Sequence, residues 1–441
     1  MKRRVSFLII LIFLTQGGVL VADEGMWTFD NPPRKQWKER YGFDATDQWL
    51  EHVRLASVRL SESGTGGTGA FVSADGLVAT NQHVGAGQIG KLSTKERDLI
   101  KNGFYARTRE EELKAPDLEV TVLVSYEDVT RRVQGAVKPD ATDKEAGDAR
   151  RAEIAAIEKE STEKTGLKSD VVTLYSGGEY WLYRFKKYTD VRLVFAPEEQ
   201  IAFFGGDYDN FTYPRYNLDV TFFRVYENNQ PAKTSHYLKW SASGPKEGEF
   251  IVVSGVPGST NRLLTTAQLH YHRDMGNPVQ MQVWATRRDA LNRYAKTSAE
   301  AARRASGSLR SLENSIKRLT SQQAGLLNAR LMRKKEEEER ALRREIASRP
   351  EQQKVYGPAW EQIASAYKEM PAMAKRIAFS TLAPSRLGNI ASQIVRYSVE
   401  ITKPNDKRLD EYRDSKLESL KFSLLSSAPV YTDMEEAILA A

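Results

Sequence analysis

The 441-residue chain contains no cysteine. That excludes disulfides, thiol nucleophiles and cysteine-based metal sites together. Histidine is nearly as scarce, with five in the whole chain: His52, His83, His236, His270 and His272. None belongs to a His-Glu-x-x-His motif, so no metal site and no cofactor are expected. Long apolar runs are missing as well: Val5 to Leu14 is too short for a comfortable membrane span, and no later stretch is long and apolar enough to cross a bilayer. Nor is there a strong excess of one charge. The formal net charge is +7, and Lys2, Arg3 and Arg4 supply three of those units. The rest is interleaved with acids, which argues against a nucleic-acid partner. A 40% hydrophobic share is enough for real cores, so wholesale disorder is excluded.

What the chain does have begins with an export signature. Lys2-Arg3-Arg4 form a basic start, Val5 to Leu14 an apolar core, and Ala22 a small residue before Asp23-Glu24. Residues 1–22 therefore read as a cleaved signal peptide, and a cysteine-free exported chain points to a bacterial periplasm. At about 150 residues per domain, the length implies two or three domains.

A short helix is expected near Thr46 to Leu55, followed by alternating strands and polar stretches. Leu118 to Val124, Asp190 to Phe195, Asp219 to Tyr226 and Glu249 to Ser254 have β-branched, strand-like patterns. Asp140 to Lys164 reads as an exposed helix. From about Thr265 to Arg349, proline and strand patterns all but vanish and Ala, Leu, Arg, Glu and Gln dominate. The run Arg333 to Arg340 there reads as a solvated helix face. A further helical region spans Tyr356 to about Phe422, with breaks expected near Pro371 and Pro384. The expected division is thus a β unit over 23–264 and an α-helical one over 265–441.

The most informative block is Gly64-Thr-Gly-Gly-Thr-Gly-Ala-Phe-Val-Ser-Ala-Asp-Gly-Leu-Val-Ala-Thr-Asn-Gln-His83. It reads as a glycine-rich turn, a strand at Gly69 to Ser73, a tight Ala74-Asp75-Gly76 turn and a strand at Leu77 to Thr80. Such a hairpin delivers His83 to the edge of a cleft, where an imidazole can serve as a general base. A base of this kind needs a carboxylate to fix its tautomer. The block Phe203 to Asp219 offers Asp207, Asp209 and Asp219. The first two sit in a turn-prone loop, whereas Asp219 opens an apolar strand and is the better-anchored candidate.

The ordered set Thr68-Gly-Ala-Phe-Val-Ser, Leu77-Val-Ala-Thr-Asn-Gln-His83, Gly205-Gly-Asp-Tyr-Asp-Asn210, Pro214-Arg215, Asp219 and Gly255 to Arg262 resembles serine peptidase family 46, the bacterial dipeptidyl peptidases of types 7 and 11. The resemblance runs from about Asp23 to the end of the chain. It implies a mostly β, chymotrypsin-like double β-barrel with a large inserted α-helical domain, the second barrel being incomplete here. It also implies removal of dipeptides from peptides with a free N-terminus, with those peptides as partners, while a homodimer is left open. Carried over, His83 is the general base and Asp219 its orienting acid. Asn210 and Phe211 hold the substrate's terminal amine, and Asn314 on a helix is a candidate for the same task. Two departures stand out. The family's usual tryptophan is Phe211, which keeps an aromatic wall without an indole N–H, and the cysteine that often follows the histidine is Val84.

No Gly-x-Ser-Gly turn follows Asp219. Ser254-Gly255 reads as a strand terminus, and Gly258-Ser-Thr as a Pro-Gly turn. The expectation is therefore a C-terminally truncated sequence whose serine lies beyond residue 441. The competing readings are a non-catalytic peptide-binding protein and a helical scaffold.

Overall fold

Among the described residues, the strands lie between Ser57 and Pro231. The computed structural model describes residues 25–62, 65–94, 96–258, 263–380, 385–425 and 430–440. Residues 1–22, read above as an export signal, and Gly64, Ser259 to Arg262 and Pro384 lie outside them. The strands are β1 (Ser57–Glu62), β2 (Thr65–Phe71), β3 (Leu77–Thr80), β4 (Phe104–Tyr105), β5 (Leu113–Lys114), β6 (Glu119–Asp128), β7 (Lys168–Leu174), β8 (Glu179–Tyr188), β9 (Asp190–Ala196), β10 (Thr221–Glu227) and β11 (Gln230–Pro231). The helices used below are α1 (Arg34–Tyr41), α2 (Asp47–Ala56), α3 (Gln82–Leu92), α4 (Asp143–Thr165), α5 (Gly206–Asp209), α6 (Asn277–Ala295), α7 (Ala299–Leu327), α8 (Ala329–Ala347), α9 (Ala359–Ser380), α10 (Arg386–Glu400) and α11 (Thr432–Leu439).

All eleven strands join one antiparallel sheet in the order β4-β9-β10-β3-β2-β1-β6-β8-β7, with β5 on β9 and β11 on β10. The hairpin β2–β3 pairs Gly69 with Thr80 and Phe71 with Val78. Its turn contains Gly76 at φ 74°, which only glycine adopts without strain. The core consists of Val58, Leu60, Phe71, Val78, Ile89, Val120, Val191, Leu193, Phe223 and Val225, contributed by six strands and α3.

The glycine-rich run is not a turn, as the sequence suggests, but part of β2. Its glycines serve close approach instead. A Cβ on Gly67 would lie 2.5 Å from Val84 on α3, so a side chain there would push the helix off the sheet.

Three other expectations need correction. Helix α4 is not merely exposed: it buries Ala155, Ile157, Glu158 and Ser161, and Ile157 packs with Val133, Tyr180 and Leu182. Helix α9 runs through Pro371 without ending there. Finally, Glu249 to Ser254 forms no strand. A strand needs a ladder partner, and these residues find none; Ile251 and Val253 stay 63% and 92% exposed. The opening strand of a second barrel is thus not formed.

The chain falls into two compact units. In the smaller, residues 25–51 and 240–253, Trp37, Ala45 and Leu50 are buried with Phe43, Trp49 and Phe250 against them. Tyr41 stacks on Phe250 at 4.6 Å. The larger, residues 52–239 and 254 onward, holds the sheet and the long helices. There α6 and α7 pack through Leu291, Tyr294, Ala301, Ala305 and Leu312, with Ile438 of α11. The charged run on α8 makes pairs along the helix such as Lys334–Glu338 at 3.7 Å, which contribute little, but Glu339 also accepts the backbone N–H of Thr266 at 2.6 Å and Glu336 lies 3.7 Å from His270. Among the described residues, no helix is long and apolar enough to cross a membrane.

Phe223 is fully buried at the centre of the sheet core. Phe223→Ala should lower unfolding stability by about 3–5 kcal/mol, because the cavity between β10 and α3 cannot close. Urea denaturation measures this directly, and a shift below about 1 kcal/mol would contradict the packing described.

Candidate active site

Helix α3 starts two residues after β3, so the hairpin register decides where its first turn points. That turn carries His83. The helix sits tightly on β10, where a Cβ added to Gly85 would come within 3.1 Å of the Phe223 ring and 3.2 Å of Thr221. The far end is pinned by a buried ion cluster. Lys91 Nζ donates to Asp117 Oδ2 at 2.5 Å and to Glu62 Oε1 at 2.7 Å, and Gln88 donates to Asp117 at 2.7 Å.

At the near end stands Asp219, two residues ahead of β10. The structure brings it directly to His83: Nδ1 of the ring lies 2.6 Å from Asp219 Oδ2. The backbone N–H of His83 donates to Oδ1 at 3.0 Å. Asn81, the residue before the helix, donates through Nδ2 to Asp219 Oδ2 at 3.2 Å and to its backbone oxygen at 3.1 Å. One carboxylate thus caps the helix N-terminus, where unpaired N–H groups and the helix dipole favour an anion, and also orients the imidazole. With Nδ1 held by an acceptor, Nε2 is left as the basic nitrogen. The His83 side chain is 61% exposed, so that nitrogen is accessible. Among the described residues no hydroxyl bonds to the His83 ring. Ser254 Oγ pairs instead with Ser57 Oγ at 2.8 Å.

Burial pushes the Asp219 carboxyl up. The hydrogen bonds from the His83 ring and from the backbone N–H groups of His83 and Gln82, together with the His83 charge, outweigh burial and hold it below the ordinary 3.8.

The second cluster lies in the Phe203 to Asp219 segment. Asn210 directly follows α5, and its Nδ2 donates to Oδ1 of Asn314 on α7 at 3.0 Å. The two candidate amine-binding carboxamides are therefore in contact, although 104 residues separate them. Lys317, one turn further along α7, donates to the backbone oxygen of Tyr208 at 3.0 Å and to that of Asp207. Phe211 stands 63% exposed with φ 59°, a left-handed conformation strained for an aromatic residue. Beside Asn314, burial and the charge of Asp207 push the Glu313 carboxyl above its ordinary value.

Sequence reasoning missed three participants. Arg215 donates to Asn210 Oδ1 at 3.1 Å and to the Gly206 oxygen at 3.1 Å. Asn81 steadies Asp219, and Lys317 holds the loop on α7. Arg215 and Asn81 carried a signal, each inside a quoted motif without an assigned role; Lys317 carried none. His52 and His236 also meet, ring nitrogen to ring nitrogen at 3.3 Å, a pairing invisible across 184 positions of sequence.

The lowered pKa of Asp219 has a consequence for stability. Its folded value lies below its unfolded one, near 3.9. The carboxylate therefore stabilises the fold fully above about pH 4, and this contribution is lost as pH falls through the folded value. The stability difference between wild type and Asp219→Asn, from urea midpoints, should be largest near neutrality and shrink at about pH 3. A difference that grew on acidification would show that the carboxylate is not held ionised by these bonds.

With this geometry in view, relationships to known proteins become informative. The Peptidase S46 family model matches residues 22–441. Dipeptidyl-peptidase 7 of Capnocytophaga gingivalis is 29% identical over 387 residues, covering 84% of this chain and 54% of the relative. The Asp/Glu-specific dipeptidyl-peptidase of the same organism is 35% identical over 230 residues, covering 49% of this chain and 32% of the relative. A crystal structure of Porphyromonas endodontalis DPP11 in complex with the dipeptide Arg-Glu superposes with a TM-score of 0.72 at 23% identity, covering 95% of this chain and 63% of that one. The chain spans about half the length of curated relatives such as this dipeptidyl-peptidase 7. A histidine–carboxylate pair on an antiparallel sheet and a family match over residues 22–441 converge on one assignment: the chain belongs to the peptidase S46 family.

Proposed function

We propose that this chain is the histidine- and aspartate-bearing part of a serine-type dipeptidyl peptidase, which releases dipeptides from peptides with a free N-terminus. The observation that carries the reading is the 2.6 Å contact between His83 Nδ1 and Asp219 Oδ2, with Nε2 exposed. In this reading Nε2 takes the proton of a serine hydroxyl as the oxygen attacks the substrate's second peptide bond, and later returns it to the leaving amine. Asp219 keeps the ring in the required tautomer and stabilises the imidazolium. The reading requires a serine as nucleophile; among the described residues no hydroxyl bonds to the His83 ring.

The dipeptide limit comes from the second cluster. An enzyme that counts two residues must close its groove and bind an ammonium. The carboxamide oxygens of Asn210 and Asn314, with Phe211 next in sequence to Asn210, Asp207 on α5 and Glu313 on α7, offer acceptors and negative charge for that task. The reading extends to a completed chymotrypsin-like double β-barrel, to export through residues 1–22 and to action in the periplasm, and it leaves a homodimer open. A second reading, a peptide-binding protein without catalysis, draws on the absence of a hydroxyl at the His83 ring among the described residues.

The test separates the two. In a protein joining this sequence to a serine-bearing second half, dipeptide release from free-amine peptides should appear, and not from N-acetylated ones. His83→Ala should then lower kcat by at least about a thousandfold, with KM little changed. The 441-residue chain alone should take no fluorophosphonate label. Labelling at Ser254, or activity indifferent to His83, would overturn the assignment.

A further inference from the structure

We infer that Arg215 is the positioning residue of the amine pocket: its guanidinium fixes which way the Asn210 and Asn314 carboxamides face, so that both keep an oxygen for a peptide's terminal ammonium. The inference rests on the proposed role of those two asparagines.

The argument is one of direction. A carboxamide has an accepting end and a donating end of nearly equal shape, and its neighbours decide which end faces where. A guanidinium only donates. Arg215 Nη1 lies 3.1 Å from Asn210 Oδ1, so the oxygen must face the arginine. The Asn210 amide nitrogen then faces α7 and donates to Asn314 Oδ1 at 3.0 Å. Hydrogen bonds therefore run one way, from Arg215 through Asn210 to Asn314. Each of the two oxygens uses one lone pair in this relay and retains a second. Without a donor-only group at its head, Asn210 turns over freely and presents N–H groups to an ammonium, which can only donate.

Arg215 is itself firmly placed. Its Nη2 donates to the Gly206 oxygen at 3.1 Å, and its guanidinium lies 5.0 Å from the centroid of the Phe203 ring. Arg310 approaches the same ring at 5.1 Å and is ion-paired with Glu199. Among the described residues, Arg215 has no carboxylate partner within 4.0 Å. A cation beside a site for a cation weakens binding by repulsion. The benefit of this arginine is therefore geometric, while Asp207 and Glu313 supply charge of the useful sign.

The experiment measures binding of a dipeptide amide and its N-acetyl counterpart to the purified 441-residue chain by calorimetry, with thermal unfolding as the folding control. Wild type should prefer the free amine. Arg215→Gln should bind it roughly ten- to a hundredfold more weakly, the range for a charge-assisted hydrogen bond, and bind the acetylated peptide unchanged. Arg215→Lys, still donor-only, should keep most of the preference, a rescue that a merely structural role would not give. Asn210→Ala tests the pocket itself. If it loses the preference while Arg215→Gln keeps it, the positioning role is overturned and the pocket stands. If Asn210→Ala keeps the preference, or wild type has none, the pocket reading falls and this inference with it. Should Arg215→Gln fail to fold, Arg215→Lys decides: folded but without preference, it refutes the donor-only account.

Discussion

The carboxylate of Asp219 stands at the N-terminus of α3, and the candidate site depends on that placement. It accepts the backbone N–H of His83 and approaches the ring of the same residue. A helix N-terminus is a good place for a carboxylate on electrostatic grounds alone, since unpaired N–H groups there carry partial positive charge. Here the favourable fold interaction and the orientation of a base coincide in one side chain. The ring cannot turn away from Asp219 without losing its own contact, and Asp219 cannot move without uncapping the helix. Asn81 closes the arrangement by donating to the same residue from the end of the hairpin.

This contact is useful only because α3 cannot shift. The helix is held between two strands by contacts that tolerate no side chain at Gly67 or Gly85. Its last turn is locked by Lys91 between Asp117 and Glu62. Burying a lysine with two carboxylates is costly unless each charge is paired and hydrogen-bonded, and Gln88 adds a further donor to Asp117. A buried cluster of that kind favours one register of the helix over neighbouring ones. The imidazole therefore inherits its position from the sheet through a rigid element.

What was legible in the sequence follows from what each signal depends on. The β2–β3 hairpin and its Asp75-Gly76 turn were readable because turn chemistry is local. His83 and Asp219 could be singled out because one ends that hairpin and the other opens an apolar strand. The helical character of the second half was readable from composition. The glycines at 66–69 were misread as a turn, since sequence shows the absence of a side chain but not which neighbour requires it. Glu249 to Ser254 was misread for a related reason. Its residues suit a strand, but a strand exists only where a partner offers a ladder, and no partner meets it here. Arg215 and Asn81 sit in motifs that assign them no role, and Lys317 sits in none. Their importance lies in contacts set by tertiary geometry.

The contribution of the helical part follows from the same distinction. Asn314 and Lys317 lie one turn apart on α7, so they face the same way. Lys317 donates to successive backbone oxygens of α5, while Asn314 accepts from the residue that follows it. The loop after α5 is strained at Phe211, where φ is 59°, and such a segment holds one conformation only when its surroundings impose it. The long helix imposes it from one side, and Arg215 with its two backbone and side-chain acceptors does so from the other. The sheet thus fixes the base and its carboxylate, and the helices fix the carboxamides. In the proposed reading, recognition of a chain end at a set distance from the base draws on both kinds of support, α7 as well as the hairpin that carries His83.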